Sequence, residues 1–311
     1  MATLTERTRS EEVRRYRLHE RLLSSERGLG YLLLLPTGLI LVVFLGYPFF
    51  FGLWLSVTSA ELTDMGHFIG LANFKFEFTI DKPFMQALVN TFLYTGVTTI
   101  FKFGLGIGMA LLLNVAFPFQ RFVRAAVLLP WIIPTVFSTL AWKWMFDPTF
   151  SVVNWMAVHL HLFGYPGPNW FGSTSTALAA LMIVNIWRGF PFYGVSILAG
   201  LQTIPADLYE AARVDGAGRW HQFTHITLPM LRPILLIVLL LSTILTFADF
   251  QVPFVLTNGA PYNSTHVLST WAYQWGVTGG AIGLGASISL VLFPLLAILV
   301  TATLIAVRRP D

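Results

Sequence analysis

Glu210-Ala211-Ala212-Arg213-Val214-Asp215-Gly216-Ala217-Gly218 interrupts the apolar second half of this chain and runs on to Ile226-Thr227-Leu228-Pro229. It is the longest polar interval between strongly apolar segments in that half. Residues 205–215 predict a short helix, because a first turn accepts Pro205 and Gly216 can adopt the positive φ that ends one. Leu208, Ala211 and Ala212 stand at i, i+3 and i+4 and share one face. The two alanines keep that face shallow, so a partner's backbone can come close. Residues 219–227 read as a second short helix, and Pro229 leads into a new apolar run.

The material on either side of this interval is membrane material. The 311 residues are 55% hydrophobic and 11% charged, with a mean hydropathy of +0.69, which excludes a soluble globular protein. A bilayer core asks for roughly 20 apolar residues per helix. Six intervals meet that demand: 29–54, 90–117, 123–146, 176–201, 231–256 and 281–307. The first is too long, and too poor in small residues at a cleavage site, for a removed signal peptide, so it is expected to stay as an anchor. The absence of cysteine excludes disulfides and thiolate metal ligands.

Orientation follows from the basic residues. The arm 1–28, the intervals around Arg121 and Arg213, and the tail together hold fourteen lysines and arginines. The alternate intervals hold only Lys75 and Lys82. Both termini and the loop 202–230 are therefore expected in the cytosol. The net charge of +4 does not read as a nucleic-acid site, since no aromatic interleaving accompanies the basic arm.

The opening stretch resembles the signature loop of the membrane subunits of ATP-binding-cassette importers. That pattern is Glu-Ala-Ala, three residues, Gly, nine residues, Ile, one residue, Leu-Pro. Glu210, Ala211, Ala212, Gly216, Ile226, Leu228 and Pro229 meet it without insertion. Leu201-Gln202-Thr203-Ile204-Pro205, Leu208-Tyr209 and Asp215-Gly216-Ala217 look like the carbohydrate branch of that family. The resemblance implies an all-α integral membrane protein with six transmembrane helices and the type I importer permease fold. It also implies a charged cytosolic arm, 1–28, and a permease domain, 29–309, whose loop 202–230 couples to an ATPase through Glu210, Ala211, Ala212, Asp215 and Gly216.

Other motifs fail on context. Gly104, Gly106 and Gly108 lie mid-span rather than between a strand and a helix, so they form no dinucleotide loop; Gly104 and Gly108 read as a close-packing face. No Gly-Lys-Ser/Thr follows the glycines at 279–285, no H-E-x-x-H occurs, and no nucleophile elbow is present. His159 and His161 are two apart and lack a carboxylate cluster, which argues against a metal. An enzyme is thus not expected, and any ATP and magnesium belong to a partner.

Polar residues inside spans are costly and usually functional. Ser242, Leu245, Thr246 and Asp249 fall at i, i+3, i+4 and i+7; Asn185, Arg188, Gly189 and Phe192 repeat that spacing, with Trp187 to one side. Pro191 frees a backbone carbonyl, which is tolerated beside a cavity. The pattern describes a hydrophilic path with a stacking surface, suited to sugars. Arg188 and Asp249 could equally neutralise each other, and the two readings are compatible. The segment 185–192 looks like the fourth core helix of maltose-type permeases. Aligning on Leu256-Thr257-Asn258-Gly259 puts Ser242, Leu245, Thr246 and Asp249 at fifth-helix positions that contact sugar there. Arg188 and Asp249 replace uncharged residues of that pattern, which leaves open a charged sugar or a phosphorylated polyol.

The expectation is one permease subunit of a bacterial inner-membrane importer moving a carbohydrate by alternating access. Its expected partners are a second permease, two ATP-binding ATPase subunits, a periplasmic substrate-binding protein and the lipid bilayer. An ion-coupled secondary transporter or channel is the competing reading; an acidic chain along the path would favour it, yet Asp249 is the single carboxylate within the six intervals.

Overall fold

The computed structural model describes residues 26–308, so most of the expected arm, 1–25, and the last three residues lie outside the described part. Among the described residues the chain is helical, with two isolated bridges, Thr58 to Phe68 and Glu61 to Asp64, and no strand. The described residues 26–55 and those from Ser56 to 308 form two compact units. The first unit contains most of α1, Leu29–Ser56, apolar on every side, with a mean hydropathy of 2.3 over an 18-residue stretch. A helix of that kind needs lipid or protein around its whole circumference.

The second unit holds α2 (Ala72–Thr79), α3 (Lys82–Asn114), α4 (Gln120–Ile132), α5 (Thr135–Met145), α6 (Val152–His159), α7 (Thr174–Leu201) and α8 (Ala206–Val214). There follow α9 (Arg219–Gln222 continuing through Leu228–Phe247), α10 (Gln251–Leu256), α11 (Leu268–Tyr273) and α12 (Ile282–Arg308). Five helical stretches are long and apolar enough to cross a membrane, or six if α4 and α5 count as one broken span. That pair is bent by 89° at Ile133-Pro134. Pro134 disfavours helical geometry in the residue before it, and Ile133 is extended, with φ −62° and ψ 131°.

Two boundaries differ from the sequence expectation, and prolines explain both. The separate helix expected over 219–227 is the start of α9. A π turn at Phe223–Thr227, closed by Leu228 N–H to the Phe223 carbonyl, shifts the register just ahead of Pro229, so the helix continues. At the other end α9 stops at Phe247 instead of running through to 256. Pro253 cannot donate to the Asp249 carbonyl four residues back, and the Ser269 hydroxyl fills that vacancy at 2.7 Å.

Helices α3 and α7 form the centre of the second unit. Gly106 makes their close approach possible, since a Cβ there would overlap Cβ of Tyr193. The packing role expected of Gly104 and Gly108 thus falls to Gly106. An added Cβ at either of the other two meets nothing within 4 Å, and both line an apolar groove of about 670 Å³. Residues two apart on a helix point to opposite sides, so the three glycines cannot share a face.

Asp81 caps α3 by accepting from Phe84 N–H at 3.3 Å, and its other oxygen receives the indole N–H groups of Trp271 and Trp275 at 2.8 and 3.0 Å. Beside it, Glu77 of α2 is fully buried and accepts from the Ser287 hydroxyl of α12. Burial pushes the Glu77 carboxyl up to about 7, against the lowering influence of the Ser287 hydroxyl and with a further rise from the Asp81 charge. The folded state therefore holds a proton that the unfolded chain has released. The stability this gives is present below the ordinary carboxylate range and is lost as pH rises through about 7. The thermal midpoint of the purified chain should fall between about pH 5 and pH 8, and Glu77→Gln should flatten that slope. Equal slopes in the two proteins would remove Glu77 from the explanation.

Candidate functional site

The centre of the second unit is polar because three helices each contribute groups that cannot be left alone in an apolar layer. Lys102, near the middle of α3, is 2% exposed. Its Nζ donates to Asn185 Oδ1 of α7 at 2.9 Å and to Thr246 Oγ1 of α9 at 2.7 Å. Thr246 in turn donates to the Ser242 carbonyl at 2.7 Å. The amide nitrogen of Asn185 donates to Asp249 Oδ2 at 2.9 Å, and the Tyr94 hydroxyl donates to the same oxygen at 2.6 Å. Asn185 therefore stands between a cation and a carboxylate. Only one amide orientation serves, because an ammonium has nothing to accept with and a carboxylate nothing to donate.

Asp249 occupies the break between α9 and α10, where its Oδ1 accepts from Val252 N–H at 3.3 Å. Non-helical backbone at membrane depth is tolerated where it is buried in protein or lines a cavity. Here it lines one. A cavity of about 390 Å³ is bounded by Ala248, Asp249 and Phe250 from the break, by Gln251 at the start of α10, and by Lys102, Trp131 and Thr135. Asn185, Arg188, Gly189 and Phe192 of α7 and Ser242, Leu245 and Thr246 of α9 complete the wall. Eight of the nine residues expected to share a path are thus brought together. The ninth, Trp187, lies outside the lining, and its ring packs edge-on against Trp142 at 5.4 Å. The aromatic surface is instead Trp131 stacked on Phe192, with centroids 5.9 Å apart and planes 26° apart. Gly189 has a steric reason to be glycine: a Cβ there would run into Cδ of Lys102.

Arg188 and Asp249 do not pair directly. No ion pair within 4.0 Å joins them, and Arg188 Nε is buried without a hydrogen-bond acceptor. The neutralising role considered for Arg188 falls to Lys102, through Asn185. Lys102, Trp131, Thr135, Phe250 and Gln251 were not assigned to the path from sequence. The available signal was Lys102 itself, a cation at mid-span opposite a single intramembrane carboxylate.

The stretch around Glu210 forms α8, which has no buried residue. Gly216, at φ +80°, ends it with Gly216 N–H to the Arg213 carbonyl at 3.1 Å and Ala217 N–H to the Ala212 carbonyl at 2.8 Å. Glu210 and Arg213 form an exposed ion pair at 3.8 Å, a contact of little energetic weight. Tyr209 reaches Thr227 Oγ1 at 2.9 Å and ties α8 to the first turns of α9. Val214 and Trp220 leave 88% and 76% of their surface uncovered, so this end of the unit presents apolar side chains with nothing over them among the described residues.

The profile of the binding-protein-dependent transport system inner membrane component family matches residues 102–309, which include α8 and the entire polar network but Tyr94. The chain belongs to that family. It is accordingly an inner-membrane transport component and a non-enzymatic membrane subunit. The sulfoquinovosyl glycerol transport system permease protein of Agrobacterium fabrum is 37% identical over 286 residues, covering 91% of each chain. The trehalose/maltose transport system permease protein of Thermococcus litoralis is 34% identical over 271 residues, covering 87% of this chain and 90% of the relative. Among solved structures, a bacterial ABC transporter involved in the import of the acidic polysaccharide alginate superposes with a TM-score of 0.78 at 26% identity. The match covers 90% of this chain and 95% of that one.

Proposed function

We propose that this permease is one of two transmembrane subunits of a type I ATP-binding-cassette importer that carries a carbohydrate across the inner membrane by alternating access. The observation that carries the reading is the cavity at the helix break. It combines a satisfied polar network, a stacked aromatic wall and irregular backbone at membrane depth, the setting in which transporters hold solutes. Hydroxyls of a sugar would meet Thr135, Gln251, Ser242 and Thr246, and its apolar face would lie on Trp131 and Phe192. The relatives transport sulfoquinovosyl glycerol and trehalose or maltose by their names, which supports a saccharide substrate.

Both termini and the loop 202–230 lie in the cytosol on this reading. A companion permease completes the cavity, and a periplasmic binding protein delivers the sugar. Two ATPase subunits hold ATP and magnesium and seat on α8 through Glu210, Ala211, Ala212, Asp215 and Gly216. The bare surface of α8 and the uncovered Val214 and Trp220 are what such a partner would cover. An ion-coupled carrier is disfavoured because Asp249, the carboxylate it would load and unload, is already held by Tyr94 and Asn185. The test is uptake of a labelled saccharide by proteoliposomes holding the whole complex. Accumulation should require ATP and the binding protein and persist when ion gradients are dissipated; accumulation driven by an ion gradient without ATP would overturn the reading.

A further inference from the structure

We propose that the saccharide taken into this cavity is anionic, and that Arg188 receives its acidic group. This rests on the carbohydrate reading above and adds a charge to it. The charged side chains lining the cavity are Lys102, Arg188 and Asp249, two cations against one carboxylate. Lys102 and Asp249 answer each other through the Asn185 amide, with Thr246 and Tyr94 completing their hydrogen bonds. Arg188 is outside that arrangement. It makes no ion pair with Asp249, and its Nε is buried without an acceptor.

A guanidinium stays charged at any physiological pH, so the lining carries one uncompensated positive charge in a layer where such charge is unfavourable. A solute bearing one carboxylate, sulfonate or phosphate would supply the missing charge when bound. The planar fork of Arg188 matches the paired oxygens of those groups, which a lysine could not do as well. Arg188 also stands one turn before Phe192, whose ring stacks on Trp131. A sugar ring lying on that wall can therefore bring a substituent to the guanidinium. The other source of compensation is a carboxylate from the companion permease, and the experiment separates the two.

The permease pair in lipid nanodiscs, without the binding protein, is titrated with glucose, glucuronate and 6-deoxy-6-sulfoglucose at one ionic strength, with acetate and sulfate alongside. Glucuronate and the sulfonated sugar should bind about tenfold or more tighter than glucose, the effect of one charge-assisted contact. Arg188→Gln should bring both down to the glucose value, and Arg188→Lys should retain part of the preference. Glucose binding as tightly as the acids, or a preference that survives Arg188→Gln, would overturn the proposal and give Arg188 to the companion subunit. Acetate or sulfate binding as tightly as glucuronate would reduce the site to an anion site and also overturn it. Binding of none of the three sugars would sink the carbohydrate reading itself, a result distinct from the loss of preference. The wild-type comparison needs no variant, so a misfolded substitution cannot shelter the idea.

Discussion

Lys102→Met should be the most damaging single change in the cavity wall, costing about 3–5 kcal/mol by the scale of broken buried pairs in soluble proteins. Methionine matches the lysine stem in length, so the loss is one of charge and hydrogen bonds rather than volume. The change leaves the Asp249 carboxylate with Tyr94 and an Asn185 amide that no longer answers a lysine, and it removes the donor from Asn185 Oδ1 and Thr246 Oγ1. Yield of the assembled complex and its thermal midpoint should both fall. Lys102→Met with Asp249→Asn should recover most of both, because neither member of the Lys102–Asp249 couple is then left without the other. Arg188→Gln should alter the midpoint far less, since Arg188 holds neither partner. A wild-type midpoint for Lys102→Met would show that Asp249 finds its compensation elsewhere.

Gly216→Val should disconnect transport from ATP hydrolysis while leaving the chain in the membrane. A Cβ built on Gly216 meets nothing within 4 Å, so the penalty is confined to the backbone. A β-branched residue at φ +80° is strained by about 1–3 kcal/mol, enough to displace the end of α8. Because no residue of α8 is fully buried and its tie to the rest of the unit, Tyr209, lies two turns away from Gly216, insertion and core packing should survive. On the proposed seat for the ATPase, transport should fall about tenfold or more, the equivalent of 1.4 kcal/mol. Gly216→Asn should retain most transport, since asparagine enters the left-handed region more readily. Wild-type transport together with wild-type stimulated ATPase activity in Gly216→Val would remove α8 from the coupling step.

These two sites differ in how legible they were. Helix α8 was expected over 205–215 and runs Ala206–Val214, because its ends are set by Pro205 and Gly216 themselves. Local chemistry is visible in a local string. The polar stripes of α7 and α9 were legible for the same reason, as helical spacing sends residues of one stripe to one side. What composition and spacing could not supply was the partner across the gap. Asp249 is matched with Lys102, more than a hundred positions away, and the match is made by an amide on a third helix. The aromatic wall came from Trp131 rather than Trp187: Trp131, on α4 just before the bend at Ile133-Pro134, lines the cavity and stacks on Phe192. Prolines were read as kinks or starts, yet their effects depended on neighbours: Pro229 is absorbed by a π turn, while Pro253 sits in the first turn of α10 and leaves the Asp249 carbonyl to accept from a serine hydroxyl of α11.

The central claim, that a saccharide passes through the cavity at the α9–α10 break, is tested most directly by a single thiol placed in its wall. The chain has no cysteine, so Ser242→Cys would carry its sole thiol on a residue that lines the cavity. In the assembled complex, the rate of modification of this chain by a small polar thiol reagent is followed by mass with and without transported sugar. The account predicts that the sugar slows modification of Ser242→Cys and leaves a cysteine at the exposed Gly218 unaffected. Modification of Ser242→Cys at the same rate with and without a sugar that the complex is actively transporting would contradict it.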